Sequence, residues 1–178
     1  MTFTAIVTSH ANSAGLLHAL KALRTEQTRV PDQIIVLASD TPEIVKFPRS
    51  FPGVEFNDVE NANDWGHSKR ARGIELAVCD WIGFFNDDDS YAPKYIARML
   101  REAPKADVVY CGWNEQPHCE FALGKSTSGN FIVRSTLAKK VGWNDRHYEA
   151  DGTFIEALKA AGARVVRVDE TLFYHNVQ

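Results

Sequence analysis

The sequence has little that would tie it to an oxidised compartment, a membrane or nucleic acid. Its three cysteines, Cys79, Cys111 and Cys119, form no CxxC pair, which disfavours both a disulfide framework and a structural zinc site. No run approaches the roughly 18–20 apolar residues of a membrane span, so we expect no transmembrane segment. A net charge of −3 provides no basic surface for nucleic acid. These absences fit a cytoplasmic protein without a nucleic-acid partner best.

Linkers, internal repeats and low-complexity stretches are also absent, which predicts one domain over residues 1–178. Apolar, β-branched runs alternate with helical patterns from one end of the chain to the other. This alternation is typical of an α/β domain with a mainly parallel sheet. The runs predict strands or extended segments at 3–9, 33–39, 53–58, 81–85, 107–113, 129–134, 164–169 and 171–175.

Helical spacing of apolar residues predicts helices over 12–27, 67–79, 93–103 and 151–162, with a short helix near residue 135. Asn12 or Ser13 suits the N-cap of the first helix. Pro93 suits a first helical turn, where its missing N–H would be unpaired anyway. Gly162 suits the position just after a helix end.

Three consecutive aspartates, in the stretch "NDDDSY" at 86–91, follow the strand pattern "WIGFF". One interpretation is a solvated acidic turn, because Asn and Asp are common turn residues. The other is a binding site for a hard divalent cation, which would offset the repulsion between the carboxylates. The position favours the second, because ligands of open α/β sheets gather at the carboxyl ends of strands.

Three stretches together resemble the inverting family 2 glycosyltransferases of the GT-A fold: "IVTSHANSAGLLHALKAL", "IGFFNDDDSYAP" and "VGWNDRHYEADGTFIEALKAAGARVVRV". The resemblance extends from about residue 3 to 176. It implies a Rossmann-like, mainly parallel sheet flanked by helices. It also implies a nucleotide-sugar-binding half at 1–110 and an acceptor and catalytic half at 111–178.

The resemblance implies a site for Mn²⁺ or Mg²⁺ in the aspartate stretch. In the family a proline follows the metal-binding aspartate by five residues, and here Pro93 identifies that aspartate as Asp88. In this register Asn86 replaces the first aspartate of the family's D-x-D-type motif. Asp87 and Asp89 flank the ligand, Asp87 on the nucleotide side and Asp89 as a second metal ligand.

The resemblance also implies a general base and a histidine that closes the site. "EAD" lies where the family has "ED" at a helix start, so the base that deprotonates the acceptor hydroxyl is Asp151, with Glu149 as runner-up. An ordinary helix N-cap is the alternative reading of Asp151. His175, in "YHN", occupies the place of the histidine that reaches the metal or diphosphate.

For the nucleotide, the family relies on residues after its first two strands, which here are Ser9, His10 and Asp40. A uridine diphosphate sugar is the default donor, and guanosine or thymidine diphosphate sugars are alternatives. A further stretch, "NDWGHSKRARG", resembles one in the family and carries three cations at a helix start, one of which is expected to face the diphosphate. We assign this role to Arg72; the other two are Lys69 and Arg70.

A saccharide or another hydroxyl compound is the expected acceptor. Its recognition is expected in the segment 111–131, where Trp113, Glu115, His118 and Phe121 either bind a sugar or, for the rings, fill the core. Two other functions compete with a metal-dependent glycosyltransferase. One is a non-catalytic partner subunit that binds a nucleotide sugar. The other is a nucleotidyltransferase, which the absence of a basic, glycine-rich loop near the N-terminus disfavours.

Overall fold

Four strands in the first half of the chain run parallel: β1 (Phe3–His10), β2 (Gln33–Ser39), β3 (Val54–Asp58) and β4 (Trp81–Asn86). The computed structural model describes residues 1–41 and 51–176. Strand β1 lies between β2 and β4, and both β1 and β2 are buried almost throughout. Their near-continuous apolar runs are what a strand needs when helices cover both faces.

Four further strands complete a sheet of eight within the described residues: β5 (Ser90–Tyr91), β6 (Val108–Trp113), β7 (Phe131–Arg134) and β8 (Val165–Tyr174). The order is β3-β2-β1-β4-β7-β6-β8-β5. Strands β5 and β7 pair antiparallel with their neighbours, and β8 runs parallel to β6. The prediction of a mainly parallel α/β sheet is therefore confirmed.

Five α-helices flank the sheet in the described residues: α1 (Ser13–Lys21), α2 (His67–Leu76), α3 (Tyr95–Glu102), α4 (Ser135–Val141) and α5 (Ala150–Ala160). A π-helical turn, Ala22–Glu26, continues α1. Apolar side chains of α1 and α3 pack into one core layer, and those of α2, α4 and α5 into another. The sheet separates the two layers.

Two helix ends confirm the sequence prediction. Asn12 is the N-cap of α1, and its Oδ1 accepts a hydrogen bond of 3.0 Å from the N–H of Gly15. After α5, Gly162 adopts φ +82° and donates its N–H to the carbonyl of Lys159 at 2.9 Å. A left-handed residue of this kind ends a helix by pairing its last carbonyls, and glycine adopts it without steric cost.

Three element boundaries were predicted wrongly. Pro93 lies in a turn before α3, because the N–H of Tyr95 bonds to the carbonyl of Ala92 at 2.8 Å and the helix begins only there. Helix α2 ends at Leu76: the N–H of the C-cap residue Ala77 still bonds to the carbonyl of Gly73, but that of Val78 bonds to Gln33 Oε1 at 3.0 Å. The two predicted segments 164–169 and 171–175 are one strand, β8, with register shifts against β6.

The three cysteines are free, as predicted. Within residues 1–41 and 51–176, no helix combines the length and the apolar character that crossing a membrane requires. The chain leaves β1 towards β2 and β3 on one side and returns to β4 on the other. Such a reversal of strand order opens a crevice at the carboxyl ends of the two central strands, where α/β proteins bind ligands.

Candidate active site

A cavity of about 780 Å³ lies at this reversal point. Six residues predicted for the site line it, from strands and loops that are distant in the sequence: Ser9, His10, Asp87, Asp88, Asp151 and His175. The fold therefore brings the predicted nucleotide, metal and base residues to one place.

Asp87 joins the ends of the two central strands. Its Oδ2 accepts hydrogen bonds from Ser9 Oγ at 2.6 Å and from the N–H of His10 at 3.3 Å. Its carbonyl lies 3.4 Å from Asn12 Nδ2, at the start of α1. Partial burial, together with the adjacent carboxylate of Asp88, raises the pKa of Asp87 despite these hydrogen bonds. Asp87 thus connects the end of β4 to the end of β1 and the start of α1 at the base of the cavity.

Asn86, which the sequence resemblance places where an aspartate is expected, is held by three side-chain hydrogen bonds. Its Oδ1 accepts from Arg70 Nη2 at 2.7 Å and from Thr8 Oγ1 at 2.9 Å. Its Nδ2 donates to Asp89 Oδ2 at 2.6 Å. An amide offers an acceptor on one side and a donor on the other without having to bind a proton, so this environment suits asparagine better than an ionised aspartate.

Asp89 is 2% exposed and does not line the cavity. Its Oδ1 lies 3.0 Å from His175 Nδ1 and accepts from the N–H of Asn176 at 3.1 Å. The contact with Asp89 raises the pKa of His175. The structure therefore does not bring Asp89 to the predicted metal site; its carboxylate is turned inward, where it orients the imidazole that does line the cavity.

Asp87 and Asp88 both line the cavity, but Asp88 is the more exposed of the two. Partial desolvation and the neighbouring Asp89 carboxylate raise its pKa, and its side chain accepts no hydrogen bond from another residue among those described. Within these residues no group of three or more His, Cys, Asp or Glu side chains forms a preformed metal cluster. Asp88 and His175 fit a cation that takes its other ligands from phosphate and water, as Mg²⁺ usually does.

Two buried cations, Lys69 and Arg70, reach the cavity from α2. Lys69 Nζ donates to the carbonyl of Ser9 at 2.6 Å, and Arg70 Nη1 donates to that of Trp65 at 2.8 Å. Burial lowers the pKa of Arg70, and the charge of Asp151 counteracts this. Arg72, our sequence choice, is exposed, does not line the cavity and pairs with Glu75 at 2.7 Å. The structure places it on the solvent side of the helix.

Asp151 lies in the first turn of α5 and is partly buried at the cavity wall. Its Oδ1 accepts from the N–H of Gly152 at 2.8 Å. The N-cap residue is Glu149, so the N-cap alternative for Asp151 does not hold. Glu149, the runner-up base, also lines the cavity but is exposed. The positive end of the helix dipole suits a carboxylate in the first turn of α5, the position that a proton acceptor at this wall needs.

At the nucleotide end, His10 is exposed and lines the cavity, with its Nδ1 3.3 Å from Asp40 Oδ2. Asp40 itself is 58% exposed by its side chain and lies outside the cavity lining. Its backbone is left-handed, with φ +53°. The structure therefore brings Asp40 beside His10 but not directly to the cavity.

Of the side chains predicted to bind the acceptor, only Trp113 lines the cavity. Phe121 is buried against Tyr110 and Phe131, which assigns it to the core. Glu115 and His118 are exposed away from the cavity.

Sequence reasoning missed three aromatic residues at the cavity: Trp65, His67 and Tyr148. Trp65 and Tyr148 meet edge to face, with ring centroids 5.6 Å apart, although 83 positions separate them. His67 is buried and stacks on Trp143. The one signal in the sequence was that Trp65 and His67 belong to the stretch "NDWGHSKRARG" that carries the buried cations.

A sequence model described as "Glycosyl transferase family 2" matches residues 4–161. An uncharacterized glycosyltransferase of Bacillus subtilis (strain 168), YwdF, is 24% identical over 111 residues, which are 62% of this chain and 41% of that protein. The family model thus covers every residue that lines the cavity except His175.

Two solved glycosyltransferases share the fold. S. aureus TarS 1–349 in complex with UDP-GlcNAc matches with a TM-score of 0.80 and 16% identity, over 100% of this chain and 59% of that one. The mannosyltransferase PcManGT from Pyrobaculum calidifontis, in complex with GDP-Man and Mn²⁺, gives 0.78 and 14%, over 99% and 57%. These likenesses confirm the predicted GT-A fold. The chain spans less than two thirds of the length of each of these proteins.

Proposed function

This chain belongs to glycosyl transferase family 2, and from that membership we propose that it transfers a sugar from a nucleoside diphosphate sugar to an acceptor hydroxyl with inversion. The observation that carries the proposal is the cavity itself: the carboxylates of Asp88 and Asp151, from the two halves of the chain, line it together with buried Lys69 and Arg70. Anion-binding and proton-accepting groups are thus present in one space.

The donor in this proposal is a uridine diphosphate sugar. Support comes from the likeness to TarS, whose structures contain UDP or UDP-GlcNAc, whereas GDP-Man in PcManGT keeps a guanosine diphosphate sugar as the alternative. The nucleotide would lie along residues 1–110, by Ser9 and His10. The acceptor and the base would belong mainly to residues 111–178. We assign the diphosphate contact to Lys69 or Arg70 in place of Arg72, because only the former line the cavity.

Asp88 and His175 would hold Mn²⁺ or Mg²⁺, and the bound cation would supply positive charge to the diphosphate. The exposed carboxylate of Asp88 supports a cation at this position. Partial desolvation and the neighbouring Asp89 raise the pKa of Asp88. Asp89 would act through His175, whose imidazole it orients at 3.0 Å.

The chemical step in this proposal is a single displacement. Asp151 accepts the proton of the acceptor hydroxyl while the hydroxyl oxygen bonds to the anomeric carbon of the sugar. The bond from that carbon to the diphosphate oxygen breaks, and the diphosphate leaves with the electron pair. Arg70 lies beside both Asn86 and the charge of Asp151, so it keeps positive charge near the leaving group and near the base.

A donor panel tests the proposal. Calorimetry and hydrolysis assays with UDP, GDP and TDP sugars, with and without Mn²⁺, measure binding and turnover separately. We expect Asp88→Ala to remove the metal-dependent part of donor binding. Asp151→Asn should keep donor binding and lower turnover by roughly 10²- to 10⁴-fold, which is the usual contribution of a general base.

Two exposed carboxylates provide matched controls: Asp58→Ala for the metal residue and Asp145→Asn for the base. Both should behave as wild type. Full activity in Asp88→Ala and Asp151→Asn would refute the proposal. Tight binding of a nucleotide sugar without any turnover would instead indicate the non-catalytic partner subunit, and release of pyrophosphate from a nucleoside triphosphate would indicate the nucleotidyltransferase.

A further inference from the structure

Trp65 and Tyr148 are large aromatic side chains that stay exposed at the cavity: 61% of Trp65 and 73% of Tyr148 are accessible to solvent. The other three tryptophans are at most 9% exposed. Leaving an indole ring in water forgoes the free energy of burying it. An exposed aromatic pair on the wall of a cavity is therefore a candidate for contact with a ligand.

The backbone beneath Trp65 is strained. Asn63 and Trp65 both have left-handed φ values, +50° and +53°, and Gly66 follows with φ +80°. For a bulky residue such as tryptophan this conformation is rare and persists only where the surroundings impose it. The imposing contact is the hydrogen bond of 2.8 Å from buried Arg70 to the carbonyl of Trp65. The buried guanidinium thus stabilises the backbone that carries the ring.

The loop before α5 holds the second ring in place. Arg146, two residues before Tyr148, forms an ion pair of 3.5 Å with Asp64, the residue before Trp65. Asp64 also accepts from the N–H of Ser68 at 2.8 Å, which anchors it to α2. The two loops are therefore connected by an ion pair and by the aromatic contact.

Polar groups beside the rings suit a neutral, hydroxyl-bearing ligand. Asn61, Asn63 and Glu149 line the same cavity, and the carboxylate there opposes a phosphate. His67, 4% exposed, also lines the cavity, and neither of its ring nitrogens has a partner among the described residues. Burial lowers its pKa to about 4, so the imidazole is neutral at physiological pH and can both donate and accept.

We propose that Trp65 and Tyr148 form a stacking platform for a pyranose ring of the acceptor. This rests on the proposed transfer function, and it makes the acceptor a saccharide. Tyr148 precedes the candidate base Asp151 by three residues, so their Cα atoms lie at most about 11 Å apart. A sugar on the platform can therefore present a hydroxyl to the base.

The test needs no donor and no turnover. Methyl glycosides of glucose, galactose, mannose and N-acetylglucosamine are titrated into the protein, with glycerol as a hydroxyl compound that has no ring. Binding is followed by tryptophan emission and by ligand-observed NMR. Trp65→Phe isolates the emission of Trp65, and Val78→Ala, 81% exposed and outside the cavity lining, is the matched control.

We expect at least one glycoside to bind saturably and glycerol not to bind. Tyr148→Ala should raise the Kd roughly three- to tenfold, the range for one aromatic contact. Trp65→Ala should abolish the NMR signal, Trp65→Phe should retain part of it, and Val78→Ala should match wild type. If no glycoside binds, or if glycerol changes the emission of Trp65 as much as the glycosides do, the platform proposal is overturned. A protein that binds glycosides but turns over no donor would instead contradict the transfer function.

Discussion

Replacing Asn86 by aspartate would introduce the residue that the sequence resemblance implies for this position, and we expect the change to destabilise this protein. Asn86 Nδ2 donates to Asp89 Oδ2 at 2.6 Å, and the Asp89 side chain is fully buried. In Asn86→Asp an ionised oxygen would take the place of that donor. Two carboxylates would then face each other at hydrogen-bond distance without a proton between them.

The magnitude follows from the contacts. A hydrogen bond to a buried charged group contributes about 1.5–3 kcal/mol, and its loss is the first part of the cost. Repulsion between two unit charges 4 Å apart is about 4 kcal/mol at an effective dielectric constant of 20. Arg70, 2.7 Å from Asn86 Oδ1, offsets most of this second part. We therefore expect the free energy of unfolding to fall by about 2–4 kcal/mol at pH 8.

The loss should depend on pH. Sharing one proton between the carboxyl groups would raise the folded-state pKa of the new group above its unfolded value of about 3.9. A raised folded pKa means that the native state binds the proton more tightly, so the variant loses stability as pH rises above about 4. At pH 5 the protonated group can again donate to Asp89. The difference from wild type should therefore shrink between pH 8 and pH 5.

Urea unfolding of Asn86→Asp and wild type at pH 5 and pH 8 measures both effects. Asn61→Asp, at an exposed asparagine whose Oδ1 accepts from the N–H of Asn63, keeps that acceptor and controls for added charge; it should change stability by less than about 0.5 kcal/mol. The double variant Asn86→Asp/Asp89→Asn reverses donor and acceptor and should recover part of the loss at pH 8. Equal stability of Asn86→Asp and wild type at pH 8 would refute the bridging role of the amide.

Three further predictions concern stability, each measured by urea unfolding. Arg70→Lys should lower the free energy of unfolding by about 1.5–3 kcal/mol, because a single ammonium lacks the two Nη atoms that reach Trp65 and Asn86 separately, whereas Arg72→Lys, at an exposed position, should be neutral. Gly73→Ala should cost about 1–3 kcal/mol, because its Cβ would lie 2.5 Å from a side chain of β1; a neutral result would contradict the close packing of α2. Arg164 holds the pKa of Asp107 at about 2, below the unfolded value, so Asp107→Asn should cost about 1–2 kcal/mol at pH 7. That cost should decline as pH falls from about 4 towards 2, and a loss that does not vary with pH would argue against the ion pair.

The sequence alone determined the elements of the fold. Strands β1 and β2 were predicted to within one residue, because a strand covered on both faces must be apolar along its whole length. Boundaries were missed where a partner far along the chain decided them. Helix α2, for example, ends early beside a hydrogen bond from Val78 to Gln33 on another strand.

The sequence also indicated which end of the sheet carries the site, since the aspartates follow a buried strand. It could not tell which carboxylates face the cavity, because that depends on the turn that β4 makes and on what it meets. His175 and Asn176, at the far end of the described chain, turn Asp89 inward. Asp88 remains exposed to the cavity.

Tertiary packing also decided which arginine of α2 faces the cavity, and the sequence alone could not show this. Residues on an α-helix advance by about 100° each, so Arg70 and Arg72 point about 200° apart, and only one can face the cavity. The helical spacing sets that opposition, but the side on which α2 packs decides which arginine it is. Trp65 and Tyr148 meet only because β4 returns beside β1 and brings the two halves of the chain to one edge of the sheet. Secondary structure follows from the periodicity of neighbouring residues. Contacts between distant residues depend instead on how the helices and strands pack together.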